Sequence, residues 1–402
     1  MAADSGQLGG SGRVSPGRRA PVRRRQLFYV GGFDPASARK YYGLFTTGAP
    51  RQAALDGASI QVGPLEDRGE LAAGWRVETR YGHRETSTDY EYLRWHDIVR
   101  KMWPRDDLGL FVGIWTSVIA YFRSGIMAAA LRDAPLIFLA SAMPVIWSTV
   151  FLLAYAGVIA LMCFAGQALA RAAGWPGWVL GAPPLLLIMP LFSVWRWADR
   201  FVSIAWLARG MICVVQAARG DHPDLDLRCK AFARRLIAAD QAGGADEILV
   251  VGHSMGAQLA SQAIAKALAA DPQFGRRGAK VNLLTLGQLI PFYSLIARDE
   301  AYRGEIRAMA AARHIGWVDF TSPADAGSAA TIHPLEGVTA ERAADRPDRR
   351  SPRFHALVSK GGYQGLRRRP LEYHFAYLRA MDASGDYDFF RLTTGPDYLV
   401  GA

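Results

Sequence analysis

The chain has 402 residues, half of them hydrophobic, with a net charge of +11 and a pI of about 9.7. This length exceeds one typical domain and predicts roughly two to three structural units. The three cysteines, Cys163, Cys213 and Cys229, form no C-x-x-C pair, which argues against a cysteine-based metal site and a disulfide-stapled fold.

Residues 1–25 are rich in Gly, Ser, Pro and Arg and lack the apolar stretch of a signal peptide. We predict that they form a disordered basic arm. Further arginine clusters occur at 349–353 and 367–369. Such clusters suit either an anionic membrane surface or a nucleic acid.

Residues 26–107 predict the first part of a globular domain, in which short apolar strands alternate with helices. The first strand ends at the turn Gly31-Gly32, where two glycines favour a sharp change of direction. The predicted strands are Leu27–Val30, Ser59–Val62 and Trp75–Thr79, and the predicted helices are Pro35–Tyr42 and Glu91–Met102.

Residues 108–200 predict a membrane insertion. No charged side chain occurs between Asp133 and Arg171, or between Arg171 and Arg196. About 20 apolar residues suffice to cross a bilayer, so we predict transmembrane helices at about 144–169 and 175–195. Pro144 suits the first turn of the former, and three prolines should kink the latter. The shorter run 108–122 predicts an interfacial segment.

The charges flanking these spans predict their orientation. The connector carries only Arg171, whereas both outer flanks are arginine-rich, with Arg123 and Arg132 before and Arg196 and Arg200 after. By the positive-inside rule, both termini and the globular parts should be cytoplasmic, with the spans in an inner or plasma membrane. The expected partner of the basic clusters is therefore the bilayer, and no nucleic acid is expected.

Residues 201–402 predict the second globular part. Leu225–Asp240 has the pattern of an amphipathic helix, and three strands are expected at Ile248–Val251, Val281–Leu286 and His314–Phe320. Strands that alternate with helices predict a mostly parallel sheet.

The sharpest chemical signal is the motif G-x-S-x-G at 252–256, which follows an apolar strand and precedes a helix. Such a turn exposes the hydroxyl of Ser254, and side chains at Gly252 and Gly256 would collide with the packed turn. The helix N-terminus behind Ser254 offers free N–H groups to a developing oxyanion.

This motif resembles that of the α/β-hydrolase superfamily of serine esterases and lipases, and the resemblance extends over 26 to about 105 and 201–402. It implies a mostly parallel sheet flanked by helices and interrupted here by the membrane insertion. It also implies Ser254 as nucleophile and an oxyanion hole formed by Met255 together with Gly32 or Phe33. No metal or organic cofactor is implied.

The family order places an acid and then a histidine after the serine. Asp325, in the loop after a strand, is favoured as the acid over Asp319, because strand alternation could point Asp319 into the sheet. For the base, His374 ranks before His355, which is expected in or beside the last strand, and before His333. The remaining histidine of the motif, His253, is expected to pack within the turn.

These features together predict a membrane-anchored serine hydrolase that cleaves a carboxylic ester or thioester, with a lipid-like acyl substrate. The segment 108–122 is expected to form one wall of the acyl pocket. The alternative is a non-catalytic membrane scaffold that binds lipid or a partner protein and retains the hydrolase fold.

Overall fold

The computed structural model describes residues 20–103, 106–202, 204–297, 300–338 and 345–400. Residues 1–19, most of the expected basic arm, lie outside these ranges. The end of that expected arm is wrong, because the first strand begins at Arg24. Arg25 is buried within the sheet, where it forms an ion pair with Glu247.

Within the described residues, nine strands form one mixed sheet in the order β2-β4-β5-β1-β6-β7-β8-β9, with β3 paired to β4. The pairings from β5 to β9 along this order are parallel, and those of β4 with β2, β3 and β5 are antiparallel. The strands are β1 Arg24–Val30, β2 Ala58–Val62, β3 Glu66–Asp67, β4 Ala72–Tyr81, β5 Arg84–Leu93, β6 Glu247–His253, β7 Lys280–Leu286, β8 Gly316–Phe320 and β9 Asp348–Arg350.

Helices surround this sheet in three groups along the chain. One helix lies among the first strands, eight lie between β5 and β6, and seven follow β6. They are α1 Ala38–Asp56, α2 His96–Met102, α3 Asp107–Arg123, α4 Ile126–Asp133, α5 Pro135–Ala172, α6 Trp178–Gly181, α7 Leu191–Val202, α8 Ile204–Ala218, α9 Pro223–Ala242, α10 Met255–Ala270, α11 Ile290–Ile296, α12 Glu300–Ala311, α13 Phe354–Leu357, α14 Lys360–Arg367, α15 Pro370–His374 and α16 Phe389–Thr394, with 3-10 turns at Pro183–Ile188 and Ala376–Leu378.

The central strand β6 shows why the parallel sheet needs helices on both faces. Every residue of β6 is buried. Ile248 and Val250 belong to one hydrophobic cluster and Leu249 and Val251 to another, as the alternation of a strand requires. The chain is therefore an α/β protein whose mostly parallel sheet is covered on both faces.

The six strands whose bounds the sequence predicted are all present, whereas the last strand, expected around 354–358, is helix α13. Both expected helices of the first part begin later than predicted, the first at Ala38 and the second at His96. Residues 91–93 belong to β5, and the helix begins only at His96. β5 lies between β1 and β4, and its last four residues are buried. Pairing on both edges therefore decides its conformation, which a local sequence pattern does not report.

Helix α5 is the one continuous helix among the described residues that is long and apolar enough to cross a membrane. Its 38 residues extend for about 57 Å. It contains the span expected at 144–169 but begins at Pro135, so Pro144 lies inside the helix and not in its first turn. Up to three spans result if each bent helix pair is taken as one span.

The second expected span, 175–195, is not one continuous helix. Trp178–Ile188 and Leu191–Arg200 meet at a bend of 52°. Pro183 and Pro184 lie in the 3-10 turn and Pro190 at the bend, where a missing N–H interrupts the helical ladder. The segment expected at the interface, 108–122, is helix α3, which meets α4 at a bend of 74°.

Candidate active site

The parallel strands bring four loops to one edge of the sheet. Val30 is paired with Gly252, His253 with Leu286, and Leu286 with Phe320. β1, β6, β7 and β8 therefore end at the same edge, where open α/β sheets bind their ligands.

Ser254 occupies the turn between β6 and α10. Its backbone has φ 57° and ψ −127°, a conformation that costs a non-glycine residue about 1–3 kcal/mol. The turn is held by the Ser254 N–H, which donates to the carbonyl of Leu286 at 2.8 Å. Such strain places the hydroxyl at the sheet edge, clear of the strand.

The two glycines of the motif leave no space for a side chain. A Cβ on Gly252 would stand 2.4 Å from Ala257 Cα. On Gly256 it would stand 2.1 Å from the carbonyl oxygen of Val30. These close approaches let α10 begin directly behind Ser254 and beside the end of β1.

The predicted oxyanion donors lie around the serine. A Cβ on Gly32 would stand 2.9 Å from Ser254 Cβ and 3.3 Å from its Oγ, so the backbone after β1 passes alongside the hydroxyl. Met255 is the first residue of α10, where N–H groups have no partner within the helix. The ring of Phe33 stacks on Trp103 with centroids 5.3 Å apart. That Met255 and either Gly32 or Phe33 stabilise an oxyanion stays a prediction.

Asp325 and His374 form a buried hydrogen-bonded pair. His374 Nδ1 lies 2.9 Å from Asp325 Oδ2 and 3.1 Å from Oδ1. The imidazole is 3% exposed and the carboxylate is not exposed. Asp325 lies in the loop after β8, and His374 is the last residue of α15. The structure thus brings together the acid and base that the sequence favours, and both His374 and Ser254 line one cavity.

The environment keeps Asp325 ionised. Burial alone would raise its pKa, but the facing His374, its hydrogen bond, the N–H of Gly327 and the hydroxyl of Tyr377 outweigh burial and hold the pKa of Asp325 below its ordinary value. The sequence did not single out Tyr377, whose oxygen also accepts the N–H of Ser322 at 2.8 Å. An ionised, buried carboxylate of this kind can orient an imidazole.

The rival candidates lie elsewhere. Asp319 accepts hydrogen bonds from Thr285 at 2.7 Å and Thr321 at 3.0 Å, inside the sheet. His355 is exposed on the short helix α13, so the expected position in or beside the last strand is wrong, since β9 ends at Arg350. His333 is half-buried, and its Nδ1 accepts the N–H of Leu335.

His253 is buried beside His374, the candidate base. Its Nε2 lies 2.9 Å from the carbonyl oxygen of His374, and the two rings are 4.8 Å apart. Burial, together with the nearby His374, lowers the pKa of His253 to about 3. A neutral His253 therefore donates to the His374 backbone and supports its position.

A cavity of about 240 Å³ lies beside Ser254. Apart from the sheet-edge loops and a few residues of α1, α10, α11 and α15, its walls come from helices between β5 and β6. Those helices contribute Tyr121 of α3, three residues of α5 and five of α8. The sequence indicated only that α3 would form a wall. The contribution of α8 was missed, because its apolar pattern is interrupted by Arg209 and gives no sign of what it contacts.

Among the described residues, no group of three or more His, Cys, Asp or Glu side chains is arranged to hold a metal ion. Comparison of the chain with protein-family models, with curated proteins and with solved structures finds no match. The function must therefore be argued from the site itself.

Proposed function

We propose that this protein is a membrane-anchored serine hydrolase of the α/β-hydrolase type that cleaves a carboxylic ester or thioester. One observation carries the proposal: a serine in a strained turn and a histidine held by a buried aspartate line the same cavity. Their order in the chain, serine, acid and histidine, also agrees with that superfamily.

The proposed reaction proceeds through an acyl-enzyme. Ser254 Oγ attacks the acyl carbonyl while His374 accepts its proton, and Asp325 stabilises the resulting imidazolium. The oxyanion is stabilised by the N–H of Met255 and that of Gly32 or Phe33. His374 then protonates the departing alcohol or thiol. Water, deprotonated by His374, attacks the acyl-enzyme and releases the carboxylic acid and the free serine.

The sheet itself constrains the membrane topology. β1 and β6 are paired along their length, although helices α3–α8 lie between them in the chain. Both ends of the insertion must therefore be on the same side of a membrane, and the chain must cross it an even number of times. If α5 crosses once, the bent segment 178–200 is the return crossing, and α3 with α4 remains on the catalytic side.

We place that side in the cytoplasm, because Arg123 and Arg132 precede the first crossing and Arg196 and Arg200 lie at the end of the second, while only Arg171 lies in the connector. Exposed apolar side chains support a bilayer partner. Among the described residues, the exposed large hydrophobic side chains lie between 108 and 197, except Leu55, Leu227 and Leu371.

The test uses the full-length protein in detergent with a small fluorophosphonate probe and a set of acyl esters. Wild type should be labelled at Ser254 and should hydrolyse esters, and Ser254→Ala should lose both. Ser351→Ala, which alters an exposed serine, should keep both. A wild-type protein that is neither labelled nor active would contradict the hydrolase and favour the non-catalytic scaffold.

A further inference from the structure

Helix α5 of the insertion and the following helix α8 form one apolar wall of the cavity. α5 contributes Ile137, Ala140 and Ser141 from its first two turns, and α8 contributes Trp206, Leu207 and Gly210 among others. The remainder of α5 continues beyond the cavity as the candidate membrane span. The site therefore lies where α5 leaves the globular part of the protein.

The seam between α5 and α8 is not sealed by protein. Ile137 and Ser141 are buried, but Ala140, Leu207 and Gly210 remain half-exposed although they line the cavity. On the same turns of α5, Leu136 is 41% exposed and Leu139 is 52% exposed. The cavity thus borders an exposed apolar surface along this seam.

Gly210 marks the open point of the seam. Outside the adjoining turns of α8, no heavy atom lies within 4 Å of the position that a Cβ would take there. The contact of α8 with α3 is different, since a Cβ on Gly113 of α3 would stand 2.4 Å from Ile212 Cδ1. One side of α8 is therefore closely packed, and its side toward the cavity leaves space.

The volume of the cavity limits what it holds. A cavity of about 150 Å³ accommodates benzene, so by proportion about 240 Å³ accommodates roughly ten carbon atoms. That is enough for one acyl chain of medium length, or for the carbonyl end of a longer one. It is too small for two chains side by side.

We propose that the substrate is a single-chain lipid ester or thioester whose acyl chain enters from the bilayer through the seam between α5 and α8, at Gly210. This inference rests on the proposed hydrolase function. It accounts for an insertion that is part of the catalytic cavity wall. A simple anchor would not need to line the site.

The test compares Gly210→Phe with Gly157→Phe. Gly157 lies farther along α5, and its Cβ position is also free of neighbours, so the control adds the same ring away from the cavity. The measured quantity is the ratio of kcat/KM for a decanoyl ester to that for an acetyl ester, in micelles. In wild type this ratio should exceed one, since each buried methylene favours binding by about 0.8 kcal/mol.

Gly210→Phe should lower the ratio by about tenfold or more, and Gly157→Phe should leave it at the wild-type value. An unchanged ratio in Gly210→Phe, or an equal fall in both variants, would overturn the seam as the route. Probe labelling shows whether the Gly210→Phe site is folded. If labelling is lost, Ala140→Phe tests the other wall of the seam by the same ratio. Absence of labelling in wild type would instead refute the hydrolase itself.

Discussion

Arg25 and Glu247 form an ion pair inside the sheet, with Arg25 Nη2 2.6 Å from Glu247 Oε2 and neither side chain exposed. Arg25 also donates to the carbonyls of Thr393 and Gly395, and Glu247 accepts the N–H of Leu399. The pair thus joins β1, β6 and the C-terminal segment in one hydrogen-bonded network.

Glu247→Gln should lower the free energy of unfolding by about 3–5 kcal/mol, because it leaves the buried guanidinium without a countercharge. Thermal unfolding of the purified protein in detergent measures the loss. The control is Glu85→Gln, which removes an exposed partner of Arg80, with both side chains 65% exposed. That change should cost no more than about 1 kcal/mol. Equal effects of the two substitutions would contradict the prediction.

Gly256→Ala should disable the site and destabilise the fold, because its Cβ would stand 2.1 Å from the carbonyl oxygen of Val30 and 2.5 Å from that of Gly31. The start of α10 must then move away from β1. Gly304→Ala, in α12, meets no neighbour and should be neutral or stabilise by up to about 1 kcal/mol. Ester hydrolysis and thermal unfolding check both variants. Wild-type activity in Gly256→Ala would contradict the claim that α10 and β1 leave no space for a side chain at position 256.

Asp325→Asn should reduce kcat by about 10⁴-fold, because the amide no longer stabilises the imidazolium and favours the wrong tautomer of His374. Asp319→Asn is the matched control, since Asp319 is also buried but bonds to Thr285 and Thr321 instead. Its kcat should remain close to wild type. A larger loss in Asp319→Asn than in Asp325→Asn would reverse the assignment of the acid.

Asp319 should make stability depend on pH. Burial raises the pKa of Asp319 to about 6, and hydrogen bonds from Thr285 and Thr321 offset only part of that effect. The folded state therefore holds the proton more tightly than the unfolded chain, whose aspartate pKa is about 3.9. The stabilising contribution is complete below about pH 4 and is lost as the pH rises through about 6.

The asparagine of Asp319→Asn does not titrate, so the Tm of this variant should rise relative to that of wild type as the pH increases from about 4 to about 6. Thermal unfolding of both proteins between these two pH values measures the difference. A constant difference in Tm would show that Asp319 has an ordinary pKa.

The proposed topology predicts the location of two points on the chain. Alkaline phosphatase, which is active only outside the cytoplasm, should be active when fused after Gly174, in the connector that follows α5. Fused after Ala402 it should be inactive. Activity at both points, or at Ala402 alone, would contradict a cytoplasmic catalytic domain with two crossings.

The sequence predicted the features that depend on local chemistry. The turn around Ser254 is encoded within five residues, and the tight glycine contacts at its two ends agree with it. Asp325 and His374 were favoured by their order in the chain, and they lie in hydrogen-bond contact. Their catalytic role stays a prediction.

What the sequence did not predict depends on contacts between distant segments. The sequence of β5 is polar and includes Glu85 and Asp89. This segment is extended because it pairs with β1 on one side and β4 on the other. Tyr377 supports Asp325 from 52 residues farther along the chain, and nothing nearby indicates it. The cavity walls formed by α5 and α8 likewise result from packing.

The pairing of β1 with β6 also has a consequence during synthesis, because the two strands are far apart in the chain. β1 leaves the ribosome first, but its partner β6 follows only after the whole of α3–α8 has been made. In a membrane protein with this chain order, the apolar helices meet the insertion machinery before the centre of the sheet can close. Under the proposed topology, maturation of the candidate site is coupled to insertion, because α5 both lines the cavity and forms the proposed span.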